Sequence, residues 1–187
     1  MTDLQTILPR EAIRLAALGF VADGPRSYSS LASEVRNFTS RYIGPALELM
    51  TSSIEVLRQE GLLSLTNSET IPGPDALLEL SSEGQKALIA ILSTGIQAPL
   101  NDVARLVLAL KFRFLHLLPD IDRRKQLEAI IYTCETDLAR LVDLKSRHNQ
   151  DPGYLGDWLD HDIGQIEDRL LWLKKFLTRL EEDIGNT

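Results

Sequence analysis

The sequence predicts a mainly α-helical protein in two parts. Residues 1–95 hold three short helices, a two-stranded hairpin and a fourth helix, and residues 96–187 hold long antiparallel helices. Three observations predict this. Apolar residues recur at three- and four-residue steps through most of the chain. That period breaks once, over 62–80, where two short apolar runs flank a stretch with two prolines and a glycine. Beyond Gly95 and Pro99 the helical segments lengthen and become heavily charged.

The first helix covers 9–21, with Pro9 at its start and Ile13, Ala16, Ala17, Phe20 and Val21 as its apolar side. Residues 22–25, ending in Gly24-Pro25, form a turn. A second helix follows Ser27 and places Tyr28, Leu31, Ala32, Val35, Phe38 and Tyr42 on one face. Gly44-Pro45 starts a third, with Ala46, Met50, Ile54 and Leu57 as its stripe and Gly61 as its stop. Strands at 62–66 and 76–80 enclose a loop at 67–75. Ser81 is the predicted N-cap of a fourth helix carrying Leu88, Ile89, Ile91 and Leu92. Each piece is too short to bury its apolar face alone, so the hairpin must pack on the helices.

An apolar helix is predicted over 102–118, ended by Pro119. The long helix at 120–148 has Leu127, Ile131, Cys134, Leu138 and Leu141 at alternating steps of four and three. After a break containing Pro152, the last helix continues that rhythm through Leu159, Ile163, Ile166, Leu170, Leu173, Leu177, Leu180 and Ile184. A sustained 3.5-residue repeat makes a straight apolar seam that needs another helix against it. The two helices can pair as a hairpin within the chain. Trp158, Trp172 and Phe176 widen the stripe, and wet apolar surface costs about 25 cal/mol per Å2. A homodimer is therefore expected, with Trp158, Leu159, Ile163, Ile166, Leu170, Leu173, Leu177 and Leu180 at its interface.

Composition narrows the function. With a single cysteine, Cys134, no disulfide can form within the chain, and its place on the seam fits a buried apolar group better than a nucleophile. Residues 1–6 carry no basic residue, so they do not read as a secretory signal, and the segment 103–118 is too short and charged to span a bilayer. A cytoplasmic protein is expected. Asp157 and His161 stand one helical turn apart beside Asp160 and Asp162, yet two ligands without a third rarely hold a metal. No Gly-rich phosphate loop, nucleophile elbow or paired-histidine zinc motif occurs, so neither an enzyme nor a cofactor is expected.

The order of elements resembles the PadR family of winged helix-turn-helix transcriptional regulators. Residues 12–20 (AIRLAALGF) followed by Gly24-Pro25 look like that family's first helix and turn, and Tyr28 stands where its second helix commonly begins with tyrosine. Residues 57–63 (LRQEGLL) are similar to the end of its recognition helix, and 80–88 (LSSEGQKAL) to the segment closing the wing. Residues 111–119 (KFRFLHLLP) and 171–177 (LWLKKFL) are similar to its dimerisation helices. The resemblance implies a dimeric repressor whose third helices enter successive major grooves of a palindrome, with the wings on the backbone or minor groove. It places Tyr28, Thr51, Ser52, Ser53, Glu55 and Arg58 at the DNA. Where the family usually has Tyr-Pro and then paired basic residues, this chain has Thr51-Ser52 and Glu55-Val56.

Charge qualifies that expectation. Overall net charge is -7. Over 42–85 the chain carries one cation, Arg58, and a net charge of -6, whereas 9–41 is net +2. Phosphate contact requires the positive sign, so Arg26, Arg36 and Arg41 are the candidate clamps. Two functions therefore stand: a DNA-binding dimer, and a winged-helix-derived module whose acidic face engages a basic protein. A third is a small-molecule sensor, since Trp158 and Trp172 are two heptads apart and share a side of the last helix.

Overall fold

The computed structural model describes residues 9–43, 50–66 and 76–185. The predicted helix start at Gly44-Pro45, the 67–75 loop and residues 1–6 lie outside the described residues. The elements are α1 (Pro9–Ala22), β1 (Arg26–Ser27), α2 (Tyr28–Ile43), α3 (Met50–Gln59), β2 (Leu63–Leu65), β3 (Leu77–Leu80), α4 (Ser82–Ser93), α5 (Asp102–Phe114), a 3-10 turn (Leu115–Leu117), α6 (Asp120–Arg147) and α7 (Leu155–Gly185).

The chain forms two compact units. The first is Met1–Thr94 with Asp102–Leu118, and the second is Gly95–Asn101 with Pro119–Thr187. The helix at 102–114, assigned by sequence to the part beginning at 96, thus packs in the first unit. The reason is its apolar side: Leu106, Val107, Leu110 and Phe114 are at most 1% exposed. Phe114 meets Phe20 of α1 edge-on at 5.4 Å. Leu15 and Leu18 of α1, Leu31 and Val35 of α2, Ile54 and Leu57 of α3, and Leu88 and Leu92 of α4 complete this core. Each such side chain contributes about 1.5–3 kcal/mol on leaving water. Thr39 joins them because its hydroxyl donates to the Val35 carbonyl (2.9 Å), which satisfies it without solvent. Tyr42, expected on the apolar face, is exposed beyond the end of that core.

The sheet has three antiparallel strands in the order β1-β3-β2, not the expected two. Leu78 of β3 pairs with Arg26 on one side and Leu65 on the other, and Leu63 faces Leu80. The extra strand is only two residues long, so it has no alternation a sequence could display.

In the second unit α6 and α7 run antiparallel. Leu127, Ile131 and Cys134 of α6 and Leu159, Ile166, Leu170 and Leu173 of α7 are buried. Ion pairs Arg124–Glu181 (3.1 Å), Glu135–Lys174 (2.8 Å) and Lys145–Asp160 connect the helices along their length. Such surface pairs contribute about 0–1 kcal/mol each and serve mainly to fix register. A second buried track on α6 binds the segment at 95–101. The Thr133 hydroxyl donates to the Ile96 carbonyl (2.8 Å), and the Asp137 carboxylate accepts from Leu100 N (3.3 Å).

Candidate nucleic-acid interface

The geometry that would meet a nucleic acid is built at the end of α3. Gly61 has φ +74°, a left-handed conformation that costs glycine nothing and other residues about 1–2 kcal/mol. Its N–H donates to the Arg58 carbonyl (3.0 Å), and Leu62 N–H donates to that of Leu57 (2.9 Å). This pair of bonds closes the last turn of α3 and aims the chain into β2. The far end of the hairpin returns to the same place. Ser81 N–H donates to the Leu62 carbonyl (3.1 Å), and the Ser81 hydroxyl lies 2.6 Å from the Gly61 carbonyl oxygen and 3.1 Å from that of Leu62. The same hydroxyl accepts from Gly84 N–H (2.9 Å) as the N-cap of α4. One serine thus joins the end of α3, the base of the wing and the start of α4.

Of the sequence-predicted contacts, Tyr28, Glu55 and Arg58 are brought together. Tyr28 is half-buried at the start of α2, and its N–H donates to the Ala76 carbonyl (3.2 Å). Burial raises the Tyr28 phenol above its ordinary pKa. The Glu55 carboxylate adds to that and the Arg58 guanidinium opposes it. Arg58 lays its fork on Glu55 through Nη2–Oε1 (2.7 Å) and Nε–Oε2 (3.1 Å). These bonds hold the Glu55 carboxyl below the usual range, chiefly through the hydrogen bond from Arg58. The i, i+3 spacing of Glu55 and Arg58 permits this clamp without dictating it. Arg26 is held in β1 and turned to Glu34 (3.4 Å). Arg36 and Arg41 stand exposed on α2. Thr51, Ser52 and Ser53 fall in the first turns of α3, their side chains outside the described set.

Beside α3 lies an open cleft of about 540 Å3 lined by Arg10, Arg14, Val56, Glu60, Ala87 and Ile91. Arg14 and Glu60 close one side of it at 2.7 Å. Nothing in the sequence marked this cleft, because its walls come from three separate helices.

On the hairpin unit, the seam divides. Leu159, Ile166, Leu170 and Leu173 are covered within the one chain, and Ile163, Leu177 and Leu180 are half-buried. What remains exposed is the flank: Trp158 at 61%, Trp172 at 51%, Tyr132 and Leu171. Trp172 stacks on Phe176 at 5.4 Å, and the Arg179 guanidinium covers that ring at 4.9 Å. His161 accepts from the Gln165 amide (2.7 Å) and Asp160 is taken by Lys145. No group of three or more metal-ligating side chains occurs among the described residues. Among them too, no helix is long and apolar enough to cross a membrane.

Comparison with known proteins agrees with the regulator reading. Residues 1–177 match the family described as "Putative AphA-like transcriptional regulator". Among solved structures, similar chains include Bacillus subtilis PadR in complex with p-coumaric acid, at 16% identity, 91% of this chain, 99% of that chain and TM-score 0.40. Another is the same protein in complex with operator DNA, at 15%, 89%, 98% and 0.37. A third is the PadR-like regulator BC1756 from Bacillus cereus, at 17%, 91%, 99% and 0.40. A search of the curated proteins finds no match.

Proposed function

Because the chain belongs to the AphA-like family of transcriptional regulators, we propose that it is a homodimeric repressor that binds a palindromic DNA site through α3 and the β2–β3 wing. The observation that carries this reading is the joint at Gly61, Leu62 and Ser81, which fixes a solvent-facing helix and a hairpin wing in one rigid piece. A winged-helix reader needs that rigidity, because phosphate contacts set register before any base is read. In this reading Arg36 and Arg41, exposed on α2, are the phosphate contacts, and Arg26 joins them by leaving Glu34. Thr51, Ser52, Ser53 and Arg58 face the bases. Trp158 and Trp172 meet a second copy, with the covered seam residues supporting them from beneath.

The test is titration of the protein with the DNA upstream of its own gene and with mixed-sequence DNA, at 50 and 200 mM salt. A repressor binds its own site more tightly, and log K falls with log salt by about 0.9 per phosphate contact. Replacing Arg36 and Arg41 by glutamine lowers affinity for both DNAs alike and flattens that slope.

A second reading is favoured by one specific observation: the single cation of α3 and the wing is already occupied by Glu55, within a segment of net charge -6. In that reading the face receives a basic protein instead. DNA that fails to bind even at 50 mM salt, with Arg36 and Arg41 dispensable, selects it over the repressor.

A further inference from the structure

We propose that Lys111 is a proton-dependent clasp, an internal ammonium that fastens the C-terminal end of α4 to α5 where the backbone leaves the first unit. Lys111 is 0% exposed, in the last turn of a helix whose buried side is otherwise leucine, valine and phenylalanine. Its Nζ donates to the carbonyls of Leu92 (2.5 Å), Thr94 (2.7 Å) and Ile91 (3.3 Å). These belong to the last turn of α4 and its C-cap, at the negative end of the helix dipole; the Ile91 carbonyl also accepts from the Thr94 N–H (3.2 Å). Thr94 is the last residue of the first unit before the chain enters the second at Gly95. The clasp therefore sits at the exit point.

Two effects oppose each other at this amine. An ammonium has three N–H donors and no lone pair, so it suits a set of carbonyl oxygens. A neutral amine has two donors and would turn its lone pair toward one of them. Burial acts the other way by penalising the charge, and brings the Lys111 amine down to about 7. Several charged groups of the surrounding helices are paired with one another. Asp23, at the end of α1, binds Arg113 (2.5 Å) and lies 3.8 Å from His116. Arg14 of α1 binds Glu60, and Arg10 and Glu11 stand in that helix's first turn. On α2, Glu34 pairs with Arg26, and Arg36 and Arg41 are exposed. Glu83 pairs with Lys86 near the opposite end of α4, and Asp102 lies 3.9 Å from Arg105 at the start of α5.

The sign follows from linkage. The folded amine loses its proton at lower pH than the unfolded one, which titrates at about 10.4. The folded state therefore gains stability as pH rises from about 7 toward 10, and pH has no effect through Lys111 below that window. Over the same rise the hold on the end of α4 weakens from three donors to two. The joint thus changes character near neutrality without unfolding.

The experiment is an NMR titration of the full chain, labelled with 13C and 15N, from pH 5.5 to 11. The chain has six lysines. The expected result is one lysine side chain with a midpoint near neutrality, absent in Lys111→Met, and backbone amides at 92–95 shifting with that same midpoint. In parallel, the folding constant of the wild type rises relative to Lys111→Met by up to about tenfold per pH unit above 7. Six lysines titrating together at high pH overturn the proposal, as does a low midpoint that leaves the 92–95 amides unmoved. If Lys111→Met does not fold, the wild-type titration and Lys111→Arg, which keeps the charge but cannot release it, decide alone. In Lys111→Arg the pH response at 92–95 is expected to vanish.

Discussion

Gly84→Ala tests how tightly the wing is joined to the helices. Gly84 is the third residue of α4, and its N–H is the donor that Ser81 caps. A methyl group at this position would fall 2.9 Å from Leu80 Cδ1 and 3.0 Å from the Leu62 carbonyl carbon, and closer still to the Leu62 oxygen. The leucine side chain can yield, but the carbonyl cannot recede freely, because Ser81 holds it through both its N–H and its hydroxyl. Moving it forfeits about 1 kcal/mol for each hydrogen bond, and the clash itself adds about 1–3 kcal/mol. Alanine returns about 1 kcal/mol through its better helix propensity. The expected net loss is about 3 kcal/mol, several times the effect of an ordinary surface change. Urea unfolding followed by circular dichroism measures it as a lower midpoint at unchanged slope. A loss below about 0.5 kcal/mol would refute the reasoning, for it would mean that the hairpin base slides freely past the start of α4.

Ser81→Ala removes the cap from α4 and the hydroxyl from the wing base, and is expected to cost about 1–2 kcal/mol in the same unfolding assay. Glu55→Gln releases Arg58 from its fork, and affinity for the specific site is expected to rise while that for mixed-sequence DNA changes little. An unchanged affinity for the specific site would show that Arg58 stays clear of the bases. Cys134 is fully buried, and burial is the first cause that raises its thiol pKa. Its modification by a water-soluble thiol reagent is expected to follow the rate of opening of the α6–α7 hairpin, measured by labelling with and without urea. Because the folded pKa lies above the unfolded one, this thiol contributes stability below about pH 8.5 that is lost as pH rises further. Cys134→Ala removes that alkaline loss.

What the sequence made legible was whatever has a period or a local cap. Gly61 as a stop and Ser81 as an N-cap each depend on residues close together in the chain, and each has its predicted place in the structure; the 159–184 repeat lies, as read, on one continuous helix. What it hid were features set by partners far away. The Arg26–Ser27 strand exists only because β3 lies beside it. Lys111 is one of the charges in the 103–118 segment, and it is buried only because the end of α4, about twenty residues earlier, offers it carbonyl oxygens. The same limit applies to the candidate interface. Sequence placed Arg58 on α3 correctly, but the Glu55 fork that occupies it is a matter of rotamer and distance.

The backbone threads between the two compact units at 94–95, 101–102 and 118–119. Deleting everything after residue 95 would therefore strip the first unit of α5, baring Phe20, which packs on Phe114, and leaving the end of α4 without Lys111. A fragment meant to isolate the first unit must extend through Leu118 and carry the 95–101 excursion as a loop. A shuffled chimera that exchanged heads at residue 95 would inherit half of a shared core from each parent.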